Sequence, residues 1–152
     1  MRIDSTVDGL PATEAARMLS GLPDARGFEI FVRPLRYRER PHLAARTEFE
    51  TRTIVLQVPE PFLAFGEVIA YGAKRRPGKA MRFIWLTEGV TFRSRREVLR
   101  FLYLHEWMHW YLAKDHGKGL SAETTCDRFA LRNYRRHQVT VQDALAAMRR
   151  DG

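Results

Sequence analysis

The chain has a single cysteine, Cys126, among its 152 residues. That scarcity excludes an internal disulfide and every zinc module that needs two or more thiolates. Lysine is almost as sparse: Lys74, Lys79, Lys114 and Lys118 are the only ones, so arginine carries nearly all of the formal net charge of +8. Long apolar runs are missing too. The most apolar stretch, Leu99 to Ala113, is interrupted by His105, Glu106 and His109 and is shorter than the roughly 20 residues that a bilayer span requires. The opening residues, Met1 to Gly9, hold no apolar signal-peptide core. A cytoplasmic protein with no membrane partner is expected. What is present is enough to fold: the hydrophobic fraction of 45% and aromatic fraction of 11% exceed those of disordered chains, and the length suits one domain spanning residues 1–152.

The positive charge falls into four groups: Arg33, Arg36, Arg38 and Arg40; Lys74, Arg75, Arg76 and Lys79; Arg93, Arg95, Arg96 and Arg100; and Arg128, Arg132, Arg135 and Arg136. An arginine-rich surface suits an acidic partner or nucleic acid as well as plain solvation. Arg93, Arg95 and Arg96 stand at an expected helix start, where cations oppose the helix dipole.

Local patterning predicts strands early and helices late, an α+β order. Pro11 to Ser20 reads as a short helix, with Gly21 just past its end. Phe28 to Tyr37 alternates like a strand that Pro34 places at an edge or ends early. Arg52 to Val58 reads as a second strand, Phe62 to Ala73 as a helix weakened by Gly66 and Gly72, Ala73 to Lys79 as a loop, and Ala80 to Leu86 as a third strand ending near Gly89. Ser94 and Glu97 form a capping box that starts a helix reaching about Asp115, before Gly117 and Gly119 break it. Apolar residues on nearly every side of that helix predict a buried, central position. Ser121 is set to cap a further helix to about His137, and Thr140 with Asp143 a last short one.

Inside the central helix lies His105-Glu106-Trp107-Met108-His109. Residues four apart lie about 40° apart around a helix, so both imidazoles project from one face at a spacing that grips one metal ion. Glu106, about 100° round from His105, reaches a water there without being a ligand. Two histidines and a glutamate in a buried helix are costly unless partnered, and a metal ion partners them. A catalytic zinc site takes a third protein ligand and leaves one position open. Glu123, on the helix expected to fold back after the glycines, is the favoured third ligand. Asp127, one turn further on, is placed to accept the outer N–H of a ligating histidine. Asp115, His116 and Cys126 are the other residues weighed for the third position.

His-Glu-x-x-His followed by Glu123, Asp127, Phe129 and Ala130 resembles the zincin metallopeptidases with a glutamate third ligand, most closely the ImmA/IrrE family. The resemblance covers about Leu99 to Leu131, within a motif region of residues 94–138. It implies zinc held by His105, His109 and Glu123, with Glu106 as general base in hydrolysis of a peptide bond of a protein or peptide substrate. It also implies a zincin-like α+β fold in which a small, mainly antiparallel sheet packs on the central helix and helices follow. His116-Gly117 is similar to the His-Gly of SprT-like proteases that act on DNA-bound proteins, and the basic charge suits that alternative. A nucleic-acid or protein-binding module with a structural metal is the alternative from another class. An oxyanion-stabilising donor is expected from among Tyr71, Arg132, Tyr134 and His137.

Overall fold

A computed structural model describes residues 1–76, 82–115 and 122–149. The elements run β1 (Arg2–Ser5), α1 (Ala12–Met18), β2 (Glu29–Leu35), β3 (Ala44–Glu48), β4 (Thr53–Pro59), β5 (Phe65–Arg76), β6 (Arg82–Phe92), α2 (Arg95–Asp115), α3 (Glu123–Asn133) and α4 (Val141–Met148). The architecture is α+β. Four strands form one sheet in the order β1-β2-β4-β3, and β5 and β6 form a separate ribbon.

The main sheet is mixed rather than mainly antiparallel. β1 pairs parallel with β2, and β2 with β4, while only β3 runs antiparallel to its neighbour β4. The cause lies in the connections. Helix α1 crosses from β1 to β2 and makes that pair parallel. The chain then passes to the far edge to lay down β3 before returning between β2 and β3 as β4, along a short turn. Pro34 sits inside β2 without breaking it: it shares the orientation of Val32, whose carbonyl accepts the Thr6 N–H, and points to the side where β1 has already ended. No ladder donor is needed there.

The largest departure from the expected elements is residues 62–73, which form most of β5 and not a helix. Phe65 and Ile69 are buried and intervening Val68 is exposed, so the burial follows the twofold repeat of a strand. Gly66 and Gly72 each cost a helix about 1 kcal/mol, and the β-branched pair Val68-Ile69 suits pleated backbone. A bulge between Ala70 and Gly72 leaves the Tyr71 carbonyl free for Arg128 Nη1 at 2.7 Å. β6 passes through Gly89 to Phe92. Part of the expected loop at 73–79 and the residues 80 and 81 lie outside the described residues, as does the glycine break at 117–119.

α2 is buried along most of its length. It packs between β4 and β3 on one side and α3 on the other, with Ile54, Leu56, Leu99, Trp107 and Phe129 fully enclosed. Its buried polar tips are satisfied in the loop after α1: Tyr103 donates to the Pro23 carbonyl at 2.6 Å and Trp107 to that of Asp24 at 2.9 Å. At its start Ser94 Oγ accepts the Glu97 N–H at 3.1 Å, but the Glu97 carboxylate accepts from Arg93, one residue upstream of the expected partner, at 2.7 Å. The other oxygen of that carboxylate lies 3.5 Å from Arg135 Nε. Two arginines counted with the charged surface are in fact interior: Arg100 and Arg128 are buried, each donating to main-chain carbonyls.

α3 begins at Glu123, with Ala122 at its cap, and ends before Tyr134 rather than at His137; Ser121 lies outside the described residues. α4 starts as expected at Thr140, whose N–H donates to Asp143 at 2.8 Å. Burial would raise the Asp143 pKa, but the Thr140 N–H and Arg136, 2.7 Å away, outweigh it and hold the carboxyl below its ordinary value. Asp143→Ala is therefore expected to cost about 1 kcal/mol at neutral pH. Because the folded pKa is depressed, the carboxylate's contribution is complete above its ordinary pKa and disappears as pH falls through the folded one. Urea unfolding of wild type and variant at neutral and strongly acidic pH checks this: equal differences at both would remove the charge from the account.

Candidate metal centre

Two turns of α2 and the first turns of α3 supply the site. His105 and His109, one turn apart, present their rings 4.9 Å centroid to centroid, with the two Nε2 atoms 3.2 Å apart. Glu123 lies across from both: its Oε1 is 2.8 Å from His109 Nε2 and its Oε2 is 3.2 Å from His105 Nε2. The ligand atoms of the three residues all fall within 4.8 Å of one another. Asp127 Oδ1 stands 2.8 Å from His105 Nδ1, within ion-pair reach of a buried nitrogen that makes no aligned hydrogen bond among the described residues. A proton on Nδ1 satisfies the contact and leaves the Nε2 lone pair facing inward. Lone pairs of His105 and Glu123 thus converge with His109 on one point, and such a donor set calls for a cation between its members. Without a metal a proton fills that role. Burial alone would lower the His105 pKa, but Asp127 and Glu123, with Glu106 behind them, raise it to about 10. The contact with His105 in turn draws Glu123 down to about 2, against the effect of burial. Two imidazoles and a carboxylate at this spacing could hold a divalent metal ion.

Glu106 is separate from that trio. Its Oε1 accepts a hydrogen bond from Thr47 Oγ1 at 3.0 Å, and its Oε2 is 3.6 Å from His105 Nε2. Burial pushes its pKa up; His105, His109 and Thr47 oppose the rise without cancelling it. A carboxylate held above its ordinary pKa is the stronger base. The residues face a cleft of about 480 Å³ whose other wall is β3, with Leu43, Ala45, Thr47 and Phe49.

The fold brings together His105, Glu106, His109, Glu123 and Asp127. Asp115 ends α2, exposed and apart from the cluster. Cys126 is buried, and burial pushes its thiol pKa up, which disfavours a thiolate ligand. His116 lies outside the described residues. None of Tyr71, Arg132, Tyr134 and His137 lines the cleft; Tyr134 is buried between the rings of Phe92 and Phe101. The residue that sequence patterning misses is Thr47. Its only signal is alternation within Ala-Ala-Arg-Thr-Glu, a run poor in strand-forming side chains.

Comparison with family models, with curated proteins and with solved structures returns no match for this chain. Among the described residues no helix is long and apolar enough to cross a membrane.

Proposed function

We propose that the protein is a zinc-dependent peptidase with a zincin-like fold, similar to the ImmA/IrrE group, that hydrolyses a peptide bond in a protein or peptide substrate. The observation that carries this reading is the division of labour between carboxylates. Glu123 faces both histidines, whereas Glu106, buried beside them, is tied to Thr47 and remains available as a base. Held by His105, His109 and Glu123, zinc would supply polarisation of a carbonyl and a lowered pKa for water, toward about 7. Glu106 then takes the proton of an attacking water at Oε2 and returns it to the departing amine, while Thr47 holds Oε1 in place. Asp127 keeps the proton of His105 on Nδ1. The cleft between β3 and α2 supports this reading as a place where an extended chain would cross these groups.

Metal analysis of the purified protein tests the reading, with about one zinc per chain expected. His105→Ala and His109→Ala should each lose most of it. Glu123→Ala should weaken binding more than Asp127→Ala, whose loss of an outer partner costs about 10- to 100-fold. Full zinc retention in both histidine variants would remove the site.

A further inference from the structure

A second depression adjoins the cleft and shares Phe49 with it. It measures about 360 Å³ and is lined by Phe28, Phe49 and Trp110 together with Arg26, Arg52 and Lys114; no carboxylate lines it. The rings meet edge to face: Phe28 lies 5.9 Å from Phe49 at 77° and 6.4 Å from Trp110 at 72°, and Lys114 Nζ sits 4.9 Å over the Trp110 ring. Arg26 and Arg52 form no ion pair among the described residues. Phe49 is 50% exposed, although an aromatic ring at the end of a strand has apolar surface to bury. The β3–β4 turn that carries it is held in an uncommon way. Arg52 adopts φ 54°, a left-handed conformation that favours glycine and strains other residues. The turn is nevertheless closed by Arg52 N–H to the Phe49 carbonyl at 3.3 Å and by Glu29 N–H to the Arg52 carbonyl at 3.0 Å. A strained, closed turn thus presents a cation and a half-exposed ring to the same hollow.

We propose that this groove is a substrate subsite that receives an aromatic side chain flanked by carboxylates. Its cleavage role rests on the peptidase reading above; its binding role does not. The size is that of one large side chain with its flanking backbone, at the small end of ligand sites of roughly 300–1,000 Å³. Rings set at steep angles make a socket for an incoming ring edge, not the parallel platform on which nucleobases stack. The three cations supply charge complementarity to acidic neighbours of that ring. Continuity through Phe49 places the groove along the path of a chain lying in the cleft.

Fluorescence anisotropy on the Glu106→Gln protein, which keeps the groove and removes turnover, tests the proposal with three labelled peptides. One carries phenylalanine between aspartate and glutamate residues, one replaces the acids with lysine, and one replaces phenylalanine with alanine. The acidic phenylalanine peptide should bind at least about 10-fold more tightly than either of the others, and Phe49→Ala, Arg52→Gly and Lys114→Glu should each weaken it about 5- to 10-fold. These side chains are exposed or at a turn, and glycine accepts the conformation at position 52, so all three variants fold. Equal affinity for the acidic and lysine peptides, unchanged affinity in the variants, or displacement by an equimolar oligothymidine overturns the proposal. Cleavage is scored separately with wild-type protein. Selective binding without cleavage leaves the subsite standing and removes the peptidase, whereas equal cleavage of all three peptides removes the subsite and leaves the peptidase.

Discussion

Glu106→Gln is expected to retain zinc and the fold while losing peptide hydrolysis by about 100- to 10,000-fold or more. Glutamine keeps the size of the side chain and an oxygen for the Thr47 hydroxyl, which donates to Glu106 at 3.0 Å, but it cannot take a proton from water. The zinc-facing groups, His105, His109 and Glu123, are untouched, so the metal content separates the loss of a base from the loss of a ligand. A smaller effect, about 10-fold in kcat with KM little changed, is expected for Thr47→Val, since that substitution frees the carboxylate to turn without removing it. Single-turnover assays at matched zinc content read both. An active Glu106→Gln protein would end the proposed proton transfer.

Arg100→Met is expected to destabilise the protein by about 4 kcal/mol or more, a large share of the roughly 5–15 kcal/mol that holds a domain together. Arg100 is 1% exposed, and burial, with Arg96 nearby, lowers its pKa, yet no carboxylate among the described residues pairs with it. Five main-chain carbonyls take its donors instead. Nε reaches Tyr134 at 3.0 Å, Nη1 reaches Met18 and Ser20, each at 2.9 Å, and Nη2 reaches His137 at 3.0 Å and also Arg136. The guanidinium thereby fastens the end of α1 to the segment between α3 and α4, which approach so closely that a Cβ at Gly21 would lie 2.1 Å from the His137 carbonyl oxygen. Methionine fills the space but leaves five acceptors without donors. Arg100→Lys keeps the charge with fewer donors and should fall between. Urea unfolding measures the series; a methionine variant within about 1 kcal/mol of wild type would contradict the account.

The parts of this molecule that could be read along the chain are those whose cause is local. The α2 boundaries follow from Ser94, Glu97 and the apolar run, and the shared face of His105 and His109 follows from helical spacing alone. Glu123 and Asp127 share a second one-turn spacing, which alone puts both on one face of α3, the face that meets His105 and His109. Three things were not legible. β1 and β3 are short, and Ala44 to Glu48 has little strand preference, so only pairing with β4 makes it a strand. β5 contains apolar residues that fit either period, and its partner β6 decides between them. Arg100 looks like surface charge until the carbonyls that surround it, from segments distant in sequence, are brought in. Thr47 belongs with these, since its role exists only once β3 lies against α2.

The strand order has one more consequence, for how copies of this protein coexist in a crowded solution. A sheet ending in β1 and β3 has two edges that no strand among the described residues pairs, on which another chain could grow. β1 offers only four residues. β3 is the longer invitation, but Arg46 and Glu48, joined at 2.8 Å, sit on alternate positions of that edge strand, where a second copy docking flat would have to strip water from both. Removing that pair would leave Ala44, Ala45 and Thr47 as a nearly neutral border, and the first symptom would be precipitation, well before any change in the fold.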